Sequence, residues 1–294
     1  MHVRGVFGLV FLLILLGASP AAAESSAHTP TVDTSTHSAD IDLGPAVLDH
    51  GDIAAGPFIV AAGLFDRVTV GTYTLPWLVA AASPAFTDDS TTSIAPNVFG
   101  RIHLSGHENS SFSVSIDAAL FYGRLGDIDG DGLKLRALAI PMRLLIGKNW
   151  NRRHDTTLEL AAVYSQLTGE HSLEGDTWVN GLALAHSSHI GATHRLRLTR
   201  GFSVWARART LIGHAPVRAS FDSELSEDLD LNVEARANAA ELSSGFTGSA
   251  GIHLGEHRWG LTAGAGWGTW FVPGLRLPVS RSLPFAEFNV YWRF

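Results

Sequence analysis

The chain has 294 residues, no cysteine, a formal net charge of -7, 46% hydrophobic residues and a mean hydropathy of +0.14. The lack of cysteine excludes a disulfide framework and thiolate metal sites, and the acidic balance gives no reason to expect nucleic acid as a partner. Beyond the first 23 residues no apolar run approaches the roughly 20 residues a helix needs to cross a bilayer, so the apolar content must be spread over short segments.

Residues 1–23 carry one basic side chain, Arg4, an apolar run from Gly5 to Ala18, then Ser19-Pro20 and Ala21-Ala22-Ala23. That is the pattern of a cleaved secretory leader, with Glu24 as the mature start. No Cys follows, which argues against a lipid-anchored lipoprotein. Residues 24–64 form a polar N-terminal lead, rich in Ser, Thr, Ala, Asp and His and without periodicity up to about residue 56. Within it, Pro57 to Gly63 is apolar without a clear period; an extra strand, a short plug and a turn of helix all stay open.

From residue 65 to 294 the pattern predicts an all-β domain, a closed antiparallel transmembrane β-barrel. Segments alternating apolar with polar or small residues fall near 66–74, 96–105, 111–122, 133–146, 155–166, 178–198, 202–213, 244–254, 257–270 and 284–294. This predicts about ten strands. Leu229, Leu231, Val233 and Ala235 also alternate, so loop 214–243 is read as holding a strand pair above the membrane; were it and 57–63 to join the wall, the count would be twelve. Tight connections at 106–110, 199–201 and 255–256 and a middling one near 148–151 alternate with longer ones at 75–95, 123–132, 167–177, 214–243 and 271–283. Short periplasmic turns and long outer loops sort this way in membrane barrels. Two aromatic belts are expected, Tyr122, Tyr164, Trp178 and Trp267 at the outer ends and Phe112, Phe202, Trp259 and Trp292 at the inner ends.

The last strand reads Pro284-Phe-Ala-Glu-Phe-Asn-Val-Tyr-Trp-Arg-Phe294, with Ala286, Phe288, Val290, Trp292 and Phe294 on one face. It resembles the C-terminal signal of Gram-negative outer-membrane β-barrel proteins, which ends on a terminal Phe. The resemblance covers about the last ten residues and matches no narrower family. It implies an outer-membrane location and recognition by the barrel-assembly machinery, with Phe288, Val290, Trp292 and Phe294 as the recognised positions. Outer-membrane lipid and lipopolysaccharide are the other expected partners.

Inward faces are expected to carry Arg101, Asp117, Lys134, Arg136, Glu159, Arg195, Arg197, Arg207, Arg209, Glu287 and Arg293. A barrel this narrow should pair many of these charges across the lumen. The expectation is a structural barrel or a narrow passive channel with a largely salt-bridged lumen, its basic excess favouring small anions. The alternative is an outer-surface binding or adhesion module built on the long loops, including the acidic loop with Asp222, Glu224, Glu227, Asp228, Asp230 and Glu234.

An outer-membrane hydrolase is the least favoured reading. Asp88-Asp89 lie in an outer loop but His154-Asp155 on the periplasmic side, and no carboxylate is expected beside His186, Ser188 and His189. No catalytic residue, cofactor or metal centre is predicted; Asp127-Ile-Asp-Gly-Asp-Gly132 has the opening of a calcium loop but is read as a polar hairpin. His194 resists the scheme, because it shares a lipid-facing register with Leu196 and Leu198.

Overall fold

The computed structural model describes residues 43–74, 77, 97–105, 111–125, 133–151, 153–172, 178–223, 234–237, 245–256, 258–271 and 278–294. The leader, residues 24–42 of the lead, Asp88-Asp89 and the 127–132 motif lie outside them.

The strands are β1 (Ile53–Ala55), β2 (Ile59–Leu64), β3 (Val68–Tyr73), β4 (Val98–Ser105), β5 (Phe112–Leu125), β6 (Leu133–Asn149) and β7 (His154–Ser172), followed by β8 (Trp178–Arg197), β9 (Phe202–Ser223), β10 (Glu234–Ala237), β11 (Phe246–Glu256), β12 (Trp259–Phe271) and β13 (Pro278–Arg293). All pairings are antiparallel. Neighbours in sequence pair from β1 to β9, β9 pairs next with β11, and β13 returns to β1, which closes a ring of twelve. All ten segments expected from alternation are strands of this wall.

The route to twelve differs from the one the sequence suggested. Both added strands, β1 and β2, come from residues 53–64, so the wall begins inside the segment read as the lead. Among the described residues, loop 214–243 adds none to the ring: β10 pairs with Val217–Ser220 of β9, beyond the last β9–β11 pair at Thr210. A membrane strand needs about 9–11 residues. With 20 and 22 residues, β8 and β9 therefore run well past the bilayer, and with β10 they form an upright sheet on the outer side.

The barrel is inside-out relative to a soluble one. Leu120, Leu158, Leu160, Ile190 and Phe288 are exposed, while Thr157, Glu159, Asp117 and Ser115 on the opposite parity are buried. Tyr122 and Trp267 are exposed near one rim and Phe112, Trp259 and Trp292 near the other, as two interfacial girdles require. The side chain of Trp178 lies outside the described residues.

The wall is uneven. β1 has three residues and meets β13 only through Ala54↔Arg293 and Ala55↔Trp292, flanked by mutual backbone hydrogen bonds between Ile53 and Phe294. Phe294 thus turns its N–H and C=O toward β1, and every second residue back along β13 does the same. Above the β1–β2 hairpin that edge has no neighbouring strand among the described residues, and Pro284 falls on it, where its missing N–H leaves no ladder bond unmade.

Candidate functional site

The lumen is the site, and it is filled from three sides. The first filling is the chain itself. Residues 43–50, immediately before β1, cross the lumen near the end that carries the short turns. Leu43 and Leu48 are buried. The Gly44, Pro45 and Ala46 carbonyls point at the wall: Arg101 Nη1 donates to Gly44 O at 3.0 Å and to Ala46 O at 2.9 Å, and Ser115 Oγ donates to Pro45 O at 2.5 Å. Leu48 N donates to Thr69 Oγ1 at 2.8 Å. A backbone carrying no ladder needs such partners for its polar groups.

The segment ends clamped to the rim. His50 N donates to Asp66 Oδ1 at 2.6 Å, Phe65 N donates to His50 Nδ1 at 3.2 Å, and the His50 and Phe65 rings stack at 5.9 Å. Phe65 and Asp66 hold φ of 56° and 55°, the left-handed geometry of a tight hairpin, which non-glycine residues rarely adopt. Both residues are thus held by the plug. Gly63 allows the close approach, since a Cβ there would lie within 1.9 Å of Asp49 O.

The second filling is a ladder of charge across β4 to β9. Arg101 Nη2 lies 2.9 Å from Asp117 Oδ2, and Arg143 Nη2 lies 2.5 Å from the same oxygen. Arg143 Nη1 reaches Glu159 Oε2 at 3.6 Å, which Arg209 Nη2 approaches at 3.4 Å, and Glu159 Oε1 lies 2.9 Å from His189 Nε2. Across the lumen, Arg207 Nη1 bonds Glu287 Oε2 at 2.8 Å and its Nε donates to Thr193 Oγ1 at 3.0 Å. Nearer the short-turn rim, Asp155 holds Arg195 at 2.9 Å and Arg197 at 3.1 Å, and Arg293 pairs with Asp49 and Asp52 of the N-terminal segment. Charges withdrawn from water persist only when paired and hydrogen-bonded, and Asp117, Asp155 and Glu159 each serve two arginines.

The third filling is aromatic. Tyr73, Phe99 and Phe121 pack together at centroid distances of 5.0 and 5.4 Å, continuous with Leu48, Ile59, Ala61 and Tyr291. On the far wall the Trp205 ring lies flat across β11 and β12. A Cβ on Gly264 would fall 2.5 Å from it, so the glycines on the inner face of β12 make room for a ring.

Most of the expected lumen charges gather here: Arg101, Asp117, Glu159, Arg195, Arg197, Arg207, Arg209 and Glu287 all join ion pairs. Arg136 does not. It is exposed, on the parity of Leu138 and of Tyr122 across the β5–β6 ladder, at the outer end of β6. Arg143 takes the inward place instead. The sequence carried the signal: Leu138, Ile140, Met142, Leu144 and Ile146 make an unbroken apolar row, which puts Arg143 inside and Arg136 outside. The side chain of Lys134 lies outside the described residues.

The expectation that no carboxylate stands beside His189 is also corrected, since Glu159 meets it. His186 and Ser188 take no part in that couple. His186 packs on Tyr164 on the outward parity, and Ser188 pairs with outward Ala162. His194 is exposed, bonded to Thr156 and His154 at the short-turn rim, where a polar group meets headgroups and not acyl chains.

No family model matches the chain, and no curated protein does. Among solved structures it is similar to the translocator domain of the autotransporter NalP from Neisseria meningitidis, with a TM-score of 0.41, 8% identity and 82% of each chain covered. It is also similar to the CymD monoaromatic hydrocarbon channel, with a TM-score of 0.37, 10% identity, 84% of this chain and 87% of that one. A third is the ferric yersiniabactin uptake receptor FyuA from Yersinia pestis, with a TM-score of 0.36, 11% identity, 79% of this chain but 40% of that one. The class rests on the chain's own wall: a closed twelve-stranded ring with an exposed apolar band, two aromatic girdles and a polar interior. The protein is an outer-membrane β-barrel.

Proposed function

We propose that the protein is a narrow passage through the outer membrane whose resting lumen is closed by its own N-terminal segment. The observation that carries this is the double role of Arg101, which holds Asp117 of the wall with one nitrogen and the Gly44 and Ala46 carbonyls of the plug with the other. A group that bridges wall and plug is a latch. Its release would loosen the plug at residues 44–46 without breaking any strand pair, while Leu48 and His50 stay anchored to β3 and the β2–β3 turn.

The basic excess supports a preference for small anions. Away from the Arg293–Asp49–Asp52 cluster at the rim, Arg101, Arg143, Arg195, Arg197, Arg207 and Arg209 face Asp117, Asp155, Glu159 and Glu287. The residual positive potential is focused by the low-dielectric wall. Twelve strands filled by side chains leave far less width than the 16 to 18 strands of open porins.

The test is single-channel recording of the refolded protein in planar bilayers, beside a variant in which residues 43–47 become a Gly-Ser linker of equal length, with Leu48, Asp49 and His50 kept, and beside Arg101→Gln. The intact protein should conduct weakly or intermittently, and both variants more and for longer. Replacing Arg207 and Arg209 with Gln should then move selectivity toward cations. If all forms assemble and none conducts, the passage reading fails. The upright sheet of β8, β9 and β10 favours what then remains, an outer-surface binding module, tested by deleting residues 224–244.

A further inference from the structure

We propose that an outward-facing patch made by Lys148, Trp150, Arg153, His154, Thr156 and His194 binds the phosphodiester headgroup of an anionic phospholipid in the periplasmic leaflet. The proposal concerns the lipid face and stands apart from any role of the lumen.

The patch is one row of the wall. Phe112 pairs with Lys148, Lys148 with Thr156, and Thr156 with His194, so side chains from β5 to β8 stand side by side at a single level. Above the row the same face is apolar and exposed, with Leu158, Leu160 and Ile190. Below it lie the turns. The row therefore sits where acyl chains give way to headgroups, the depth at which Trp and Lys side chains are favoured.

The polar groups are ordered. Trp150 Nε1 donates to Thr156 Oγ1 at 2.8 Å, Thr156 Oγ1 lies 2.9 Å from His194 Nδ1, and His194 Nε2 lies 3.3 Å from His154 Nδ1. An indole N–H is only a donor, so the Thr156 hydroxyl accepts from Trp150 and is free to donate to His194. With that proton arrangement His194 donates to His154, and His154 Nε2–H becomes the end of the relay with no partner among the described residues. Lys148 Nζ lies 5.9 Å from the centroids of both Phe112 and Trp150, held between two rings. Arg153 is exposed in the adjoining turn.

Among the described side chains of β5 to β8, no carboxylate stands on the outward face at this level. Asp155, the nearest in sequence, points into the lumen and is taken by Arg195 and Arg197. Two fixed cations and an imidazole N–H, unopposed at the headgroup level, match the oxygens of a phosphodiester. The exposed Phe112 and Trp150 rings beside them offer a surface to an acyl chain, which selects a lipid over a free phosphate ion.

The refolded protein, taken from mixed micelles of phosphatidylglycerol and phosphatidylcholine, is examined by native mass spectrometry for retained lipid. Phosphatidylglycerol should be retained preferentially. Lys148→Gln should lower that preference about fivefold, His194→Gln should lower it as well, and Lys148→Arg should keep it. Heat-modifiable migration confirms that each variant has assembled, and a variant that fails to assemble is replaced by Arg153→Gln, which lies in a turn and should lower the preference likewise. Equal retention of the two lipids, or a preference untouched by Lys148→Gln, would overturn the proposal. Displacement of the lipid by millimolar inorganic phosphate would overturn it too, because the site would then read a free anion.

Discussion

Arg101 and Asp117 pair across β4 and β5 with 2.9 Å between Nη2 and Oδ2, and both side chains are almost wholly withdrawn from solvent. Arg143 shares that carboxylate. Asp117→Asn would thus leave two buried guanidiniums short of a counter-charge. Removing one partner from a buried ion pair costs about 3–5 kcal/mol, so the variant should lose heat-modifiable migration at a clearly lower temperature or urea concentration. An unchanged midpoint would mean that the network is hydrated and contributes little.

The plug can be fixed chemically because the chain has no cysteine of its own. A Cβ on Gly147 would fall 2.7 Å from Pro45 Cγ. Cysteines at positions 45 and 147 should therefore cross-link on mild oxidation, and the oxidised protein should show none of the conductance gained by Arg101→Gln. Reduction should restore it. Failure to cross-link would place residues 43–50 elsewhere for most of the time.

The ten wall strands from β3 onward were legible in the sequence because one face meets lipid and the other meets polar and charged groups, which forces a period of two. β1 was not, and β2 stood only as one of three open readings of 57–63, for a physical reason: the inner face of β2 carries Ile59 and Ala61 against Leu48 of the plug, and its outer face carries Val60 toward lipid. Both faces are apolar and the alternation vanishes. The Glu159–His189 couple depends on which residues of β7 and β8 stand opposite, with Ala161 across from His189 and Glu159 one step along. Register of that kind is set by the whole ring and leaves no local mark. The Arg136 and Arg143 exchange is different, because the apolar row beside Arg143 was there to be read.

Gly264→Val tests the aromatic filling. The added side chain would collide with the Trp205 ring, against which even a single Cβ would stand at 2.5 Å. Overpacking of this kind costs about 1–3 kcal/mol, and the unfolding midpoint should fall accordingly. Coupling the change with Trp205→Leu should recover part of the loss, whereas simple additivity would show that the ring does not rest there.

Orientation follows from the wall. Glu256→Cys, at the end of β11 beside the tight β11–β12 turn, should resist impermeant thiol reagents in whole cells, and Ser226→Cys, beyond the long β9, should label. The reverse pattern would invert the barrel. Phe294→Asp should reduce assembled protein without changing export, because Phe294 both ends the patterned strand and exchanges backbone hydrogen bonds with Ile53.

The ladder between β1 and β13 is the shortest in the ring, two paired positions followed by an Ile53–Phe294 hydrogen-bonded end. Arg293 reinforces it through Asp49 and Asp52, which precede β1. The ring is therefore fastened by a small clasp, and half of that clasp is the tail of the plug. Fastening and filling become one event in folding: Arg293 cannot engage its two carboxylates without Leu48 and its neighbours being drawn inside. A chain that begins after Gly56 would consequently yield not an emptied pipe but a curled sheet with two raw edges.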